Sequence, residues 1–170
     1  MVAVQEVQRE TTALRYLMEQ FLGTHWAVLL SDVTSGDKGN NERLAYLYDT
    51  RRVVLSGLSG ELVLPPAPAG LPEQFDRTPY IAGFRAGNEH FTLLTAHIRY
   101  GALPDARIPE LRALARHTAQ ELRERTRTGQ SREEPNLLVL GDFNIDLRQA
   151  TRCSMPSSRP ACGCPKRCSR

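Results

Sequence analysis

The stretch Leu137-Leu138-Val139-Leu140-Gly141-Asp142-Phe143-Asn144 decides the fold class of this chain. Its aliphatic run predicts a short strand that is covered on both faces, because such strands carry apolar residues at consecutive positions. Gly141 ends the run and is followed by an aspartate and, two positions later, an asparagine. Since α/β sheets assemble their sites at the ends of strands, the same stretch also predicts a functional site.

The chain before this strand contains many strands and few helices. Strands are predicted at residues 2–4, 25–30, 44–48, 53–55, 80–85 and 91–98, with loops at 31–41 and 65–72 and a turn at Gly87-Asn88. Apolar spacing predicts a helix that stops at Gly23 and a second one over 106–127 that Gly129 ends; its apolar face comprises Ile108, Leu111, Leu114, Ala115, Thr118 and Leu122. This order predicts an α/β layered sandwich with helices outside and sheets inside.

The net charge of +3 arises from the last twenty residues. They contain five of the 22 Lys and Arg residues, all four cysteines and none of the 19 acidic residues. The rest of the chain is slightly acidic, which gives no overall electrostatic reason to bind nucleic acid. No apolar stretch is long enough for a transmembrane helix, and the first residues lack the features of a secretory signal, so a cytoplasmic location is expected.

Polar side chains follow three of the apolar strands. Glu6 comes after the first strand, His97 after the Phe91–Ala96 run, and Asp142 with Asn144 after the last strand. Such oxygen-rich sets suit Mg²⁺ or Mn²⁺, and a divalent ion held by few carboxylates recruits phosphate oxygens. Metal-assisted phosphoester hydrolysis is therefore one interpretation of these residues.

Each of these residues also has a purely structural interpretation. Glu6 could favour the dipole of the first helix, and His97 could be a buried histidine with satisfied hydrogen bonds. Asp142 and Asn144 could simply form a turn, because Gly-Asp-x-Asn is good turn chemistry.

Five motifs together resemble those of a bacterial branch of the endonuclease/exonuclease/phosphatase (DNase I-like) superfamily. They occur in the order and rough spacing of that family, and the match covers residues 2–148. A partial domain of this family is therefore predicted at residues 1–148. The motifs are Val4-Gln5-Glu6-Val7, Glu42-Arg43-Leu44-Ala45-Tyr46-Leu47-Tyr48, Arg77-Thr78-Pro79-Tyr80, Thr95-Ala96-His97 and Gly141-Asp142-Phe143-Asn144. Within the second motif, Glu42 and Arg43 are expected to be structural or exposed.

The resemblance implies a fold, a cofactor and a role for each matching residue. The fold would be an incomplete four-layer αββα sandwich, and the cofactor Mg²⁺ or Mn²⁺. Glu6 is similar to the family's metal-binding glutamate, and Asp142 and Asn144 to the pair that orients the attacking water and contacts the scissile phosphate. His97 resembles the histidine that hydrogen-bonds a phosphate oxygen or the leaving group, and Arg77 the arginine that reaches phosphate. The implied partner is a phosphoester substrate, nucleic acid included; the sequence indicates no membrane span and no specific protein partner.

The sequence also departs from the family pattern. It contains no match to the family's opening strand with its metal-binding asparagine, nor to its closing Ser-Asp-His segment, so the first and last sheet strands are expected to be missing. Divalent-metal-dependent hydrolysis is then expected to be weak or absent in this chain, and the alternative is a catalytically dead fragment or a non-enzymatic binding module that retains the fold. The Cys-, Pro-, Ser- and Arg-rich residues 149–170 are expected to be a disordered tail with free thiols. The hypothesis for their origin is translation out of frame or a gene truncation.

Overall fold

A computed structural model of the protein describes residues 1–34, 38–66, 74–128 and 136–145. The predictions for the tail 149–170, for Gly129 and for most of the proline-rich stretch 65–72 therefore lie outside the described residues. Among the helices described, none is long and apolar enough to cross a membrane.

Two β-sheets form the centre of the fold. The first sheet has three antiparallel strands, β1 (Val2–Gln8), β2 (Trp26–Leu30) and β3 (Glu42–Asp49), with β3 in the middle. The second sheet has four strands in chain order, β4 (Val54–Glu61), β5 (Tyr80–Ala86), β6 (Glu89–His97) and β7 (Asn136–Asp142). Its first three strands are antiparallel, whereas β6 and β7 run parallel.

The predicted helices are present. The first, α1 (Thr12–Leu17), continues into a π-helical turn at Met18–Leu22 and ends at Gly23, as predicted. A 3₁₀ turn at Pro104–Arg107 leads into the long helix α2 (Ile108–Thr128). The predicted hairpin is also confirmed, since Ala86 pairs with Glu89 across a turn in which Gly87 has a φ of 60°.

The prediction for the buried face of α2 is partly wrong. Ala113 and Leu114 are buried, but Ala115 is exposed and Leu122 is 41% exposed. The apolar partners of α2 lie against the first turns of the helix, where Leu111, Ala113 and Leu114 pack. The apolar face read from the sequence therefore extends beyond the part of the helix that the sheet covers.

The two sheets pack face to face around Tyr46 of β3. Its ring stacks on Tyr80 at 5.6 Å between ring centroids and meets Phe84 edge-on at 5.5 Å. Its hydroxyl oxygen lies 2.9 Å from the carbonyl oxygen of Tyr80 and 3.0 Å from that of Leu93. Burial raises the pKa of Tyr46, so the hydroxyl stays protonated and can donate to these carbonyls, which joins the first sheet to β5 and β6.

A second apolar cluster covers the outer face of the four-stranded sheet. Leu94, Ala96 and Ile98, from β6 and the residue after it, pack with Ala113 and Leu114 of α2. The order of layers is thus helix α2, four-stranded sheet, three-stranded sheet, while the turn that follows α1 contacts β2. Because β3 and β4 are joined by a tight turn yet belong to different sheets, the chain crosses between the layers at residues 50–53.

The expectation that Leu137–Leu140 is covered on both faces is wrong. Leu138 is 49% exposed and Val139 is 37% exposed, although Leu137 and Leu140 pack against the two apolar clusters. The reason is that β7 lies at the edge of its sheet among the strands that the structure describes.

Gly141 fits between β6 and β7 only because it has no side chain. Its φ is 138°, and a Cβ atom at this position would lie 1.9 Å from the carbonyl oxygen of Ala96. We expect Gly141→Ala to destabilise the fold by roughly 3 kcal/mol or more, because both backbone strain and a backbone clash must be relieved. The measurement is urea denaturation followed by circular dichroism.

Gly60→Ala is the matched control. Gly60 also lies in a strand of the same sheet, and no heavy atom would lie within 4 Å of an added Cβ. It should change the unfolding free energy by less than about 1 kcal/mol. Equal destabilisation by the two substitutions would contradict the close approach of β7 to β6.

Candidate metal and phosphate site

Glu6 reaches the site because β1 contains a β-bulge. Val4 pairs with Ala45 and Val7 with Arg43, so one extra residue lies in β1 between these pairs. At the bulge Glu6 has a φ of 57°, a conformation that is uncommon for a residue with a side chain. Bulges re-aim side chains, and here the Glu6 carboxylate is directed at His97, with 3.7 Å between Oε1 and Nε2.

His97 and Asp142 are brought together by the parallel pairing of β6 and β7. They are register partners at the ends of these strands. The residue after His97 continues this pairing, because the Ile98 N–H donates to the Asp142 carbonyl at 2.8 Å. His97 and Asp142 therefore lie side by side at the ends of two neighbouring strands, with His97 5% exposed and Asp142 open to solvent.

The carboxylate of Glu42 lies behind His97 at the centre of the site. Only 4% of Glu42 is exposed. Its Oε2 atom is 2.9 Å from His97 Nδ1 and accepts a hydrogen bond from Arg77 Nε at 2.8 Å. Its Oε1 atom accepts a hydrogen bond of 2.6 Å from the amide of Asn40.

These contacts fix the charge on Glu42 and the orientation of the His97 ring. Burial alone would raise the pKa of Glu42, but hydrogen bonds from Asn40 and Arg77, with the nearby positive charge, hold it below its usual value. An ionised carboxylate can only accept hydrogen bonds, so the proton of this contact belongs to His97 Nδ1. The Nε2 atom of His97 is then the one directed toward Glu6 and the solvent-facing side of the site.

Arg77 and Asn144 are both held in place by hydrogen bonds within the protein, Arg77 by Glu42 and Asn144 by the backbone of Ile98. Arg77 lies before β5, as predicted, and its guanidinium is held by Glu42. The Asn144 side-chain amide donates to the Ile98 carbonyl at 2.5 Å, and its backbone N–H donates to Asp142 Oδ1 at 2.8 Å. Asn144 therefore ties the loop after β7 to the end of β6, at a backbone φ of 53°.

Three of these residues could bind a metal ion together. One ligand atom from each of Glu6, His97 and Asp142 lies within 4.8 Å of the others. Two carboxylates that are open to solvent beside an imidazole nitrogen are a donor set that a divalent cation accepts. The chemistry of the residues present therefore fits the metal that the sequence predicted.

Glu42 is the residue whose place in the site was not predicted. It is expected from the sequence to be structural or exposed, yet it contacts two of the predicted site residues. One signal was available, namely a charged side chain that opens the strand Glu42–Asp49, in which all residues but Arg43 are buried. A buried carboxylate requires charged or hydrogen-bonding partners, and the predicted His97 and Arg77 could supply them.

Comparison with known proteins gives one curated relative and several similar folds. The chain is 32% identical over 120 residues to a protein named "Deoxyribonuclease" from Thioalkalivibrio sp. (strain K90mix), a match that covers 68% of this chain and 31% of that protein. No family model matches.

Solved structures show the same architecture at low sequence identity. A mannosyl-6-phosphatase from Bacteroides thetaiotaomicron superposes with a TM-score of 0.53 at 17% identity, covering 85% of this chain and 51% of that one. An endonuclease/exonuclease/phosphatase family protein from the same organism also gives 0.53, at 16% identity, covering 81% and 47%. The chain thus spans about half the length of these structures and about a third of the curated relative.

The lowered pKa of Glu42 predicts how stability depends on pH. A carboxylate whose pKa is lower in the folded state stabilises the fold above its unfolded pKa, and that contribution is lost as the pH falls through its folded pKa. We therefore expect the unfolding free energy of the wild type to fall as the pH is lowered from about 5, near the ordinary pKa of a glutamate, and this fall to be smaller in Glu42→Gln. Urea denaturation at a series of pH values measures both.

Glu89→Gln serves as the control for this titration. Glu89 is an exposed glutamate of β6, and its removal should leave the pH profile of the wild type unchanged. If Glu42→Gln and Glu89→Gln give the same profile, the folded state does not depend on the ionised Glu42 carboxylate.

Proposed function

We propose that this chain, which has the fold of the endonuclease/exonuclease/phosphatase superfamily, hydrolyses phosphoester bonds with the help of a divalent metal ion, Mg²⁺ or Mn²⁺. The observation that supports the proposal most is the convergence of Glu6, His97 and Asp142 within 4.8 Å at one edge of the two sheets. These residues come from three separate strands, and a β-bulge is needed to bring one of them there.

The distribution of charge around the cluster suits a phosphate group. The two carboxylates of Glu6 and Asp142 are open to solvent beside His97, and the guanidinium of Arg77 shares the Glu42 carboxylate with His97 Nδ1. The Arg77 and His97 side chains could then donate to oxygens of a phosphoester, and a metal ion held by the carboxylates would supply further charge stabilisation. Pre-positioned donors of this kind stabilise the charge that develops on phosphate oxygens during hydrolysis.

Each residue has a distinct part in the proposed reaction. A metal ion, when bound, would be held by Glu6 with Asp142 beside it, and would supply charge stabilisation for the phosphate. Asp142 would accept a hydrogen bond from the attacking water, and Asn144 would keep the loop in place through its contact with Ile98. His97, oriented by Glu42 and protonated on both ring nitrogens, would donate from Nε2 to a phosphate oxygen or to the oxygen of the leaving alcohol, and in that form it would not bind the metal.

The substrate class is proposed from the relatives as a phosphoester, with nucleic acid as the first candidate. The curated relative is named a deoxyribonuclease, whereas a structural neighbour is a mannosyl-6-phosphatase. Because the same fold supports different substrates, the fold alone does not choose between a diester and a monoester.

Metal binding can be tested without any activity. Addition of Mg²⁺ or Mn²⁺ should raise the melting temperature of the wild type, since a ligand at about 100 times its Kd stabilises by about 2.7 kcal/mol. Glu6→Gln and Asp142→Asn should abolish this rise because each removes a charged oxygen donor. Asp105→Asn, at an exposed aspartate before α2, should retain it; a rise that survives in all three variants would place the ion elsewhere.

Hydrolysis is tested with bis(p-nitrophenyl) phosphate in the presence of Mg²⁺ or Mn²⁺. His97→Gln should lower kcat by roughly 10²- to 10⁴-fold, the usual effect of losing a residue that aids proton transfer. His90→Gln is the control, because His90 lies toward the opposite end of β6. Metal binding with no hydrolysis in the wild type would favour the alternative, a binding module that retains the fold without catalysis.

A further inference from the structure

Glu110, on the first turn of α2, is a buried carboxylate outside the site. It is 2% exposed and is among the largest fully buried side chains. Its Oε1 atom accepts a hydrogen bond of 2.7 Å from the backbone N–H of Asp76, and its Oε2 atom accepts one of 2.8 Å from the backbone N–H of Arg99. Both oxygens are therefore used to hold two chain segments that are distant in sequence.

The same two segments are also joined to each other. The Arg99 guanidinium donates to both oxygens of Asp76, at 2.7 Å from Nε and 2.5 Å from Nη2. Such paired contacts fix orientation as well as distance, because the guanidinium and the carboxylate are both planar. Asp76, Arg99 and Glu110 thus form a closed triangle, called here the clamp.

The clamp lies one or two residues from the proposed phosphate-binding side chains. Asp76 directly precedes Arg77, and Arg99 is two residues after His97. Between His97 and Arg99, Ile98 donates its N–H to the carbonyl of Asp142 at the end of β7, and its own carbonyl accepts from the side-chain amide of Asn144. The backbone on one side of Arg77 and of His97 is therefore fixed by Glu110, while their side chains meet at Glu42.

We infer that Glu110 is a positioning residue that holds Arg77 and His97 in the arrangement that phosphate binding needs. The inference rests on the proposed function of the site. Helix α2 already packs through Leu111, Ala113 and Leu114, so an apolar side chain at position 110 could support the packing of the helix. A buried carboxylate instead costs desolvation, and what it provides here is the directional attachment of two backbone amides.

The test compares variants of the clamp with an exposed glutamate of the same helix. Glu110→Ala removes both acceptors, Glu110→Gln keeps one of them, and Asp76→Asn weakens only the contact with Arg99. Glu124→Gln is the matched control, since Glu124 is exposed on α2. Binding of inorganic phosphate is measured by calorimetry, and the imidazole nitrogens of His97 are followed by ¹⁵N NMR, both at a temperature where circular dichroism shows each variant folded.

We expect Glu110→Ala to raise the Kd for inorganic phosphate by roughly 10- to 100-fold, because small misplacements of binding groups have effects of this size. Glu110→Gln and Asp76→Asn should have smaller effects, and Glu124→Gln none. The His97 nitrogen shifts should change in the same order. If Glu110→Ala does not fold, Glu110→Gln and Asp76→Asn carry the test.

Two results would overturn the inference. One is a set of folded clamp variants that melt at lower temperature but retain wild-type phosphate affinity and His97 shifts, which is the pattern of a purely structural anchor. The other concerns a wild type that binds no phosphate, in which case the proposed function fails by itself. Unchanged His97 shifts in the folded clamp variants would then reject the role of Glu110 as well.

Discussion

Glu42 accepts hydrogen bonds from Asn40, Arg77 and His97, which belong to three different parts of the chain. Its charge is buried, so the partners have to remain in place for the fold to tolerate it. This constraint determines much of what surrounds it. The His97 ring is oriented, Arg77 is kept at the site, and Asn40, two residues before Glu42, directs its side-chain amide to the carboxylate.

Backbone strain is concentrated around this carboxylate. Among the described residues, the non-glycine positions with positive φ are Glu6, Asn40, Asn41 and Asn144, all at the site or next to one of its members. Such conformations persist where the surrounding contacts over-determine them. Here the contacts are the β1 bulge, the hydrogen bond from Asn40 to Glu42 and the amide of Asn144 on Ile98.

Much of the fold could be predicted from local sequence, because strands such as Tyr80–Ala86 and the hairpin turn at Gly87 depend on nearby residues. The motif residues Glu6, His97 and Asp142 were predicted as a set, and the structure brings them together. The contacts of Glu42 and Glu110 could not be predicted in this way. The arginine and histidine that contact Glu42 lie 35 and 55 positions away, and Glu110 contacts Asp76 across 34 positions. The residues next to a glutamate in the sequence do not show whether its carboxylate will face solvent or a guanidinium. The exposure of Leu138 was missed for a related reason, since coverage of a strand depends on which neighbours it acquires.

Residues that contact each other at the site lie far apart in the sequence, and this separation limits when the site can form during synthesis. Arg77 is 35 positions from Glu42, His97 is 55 positions from it, and Gln5 meets Thr95 across 90. While only the three-stranded sheet has emerged from the ribosome, Glu42 can contact neither Arg77 nor His97. Burial of its unpaired carboxylate at that stage would cost desolvation free energy. The pocket around Glu42 should therefore close only after β6 has emerged. A nascent chain stalled before His97 is then expected to expose this carboxylate, together with the face of the three-stranded sheet that carries Tyr46 and that β5 and β6 cover in the complete fold.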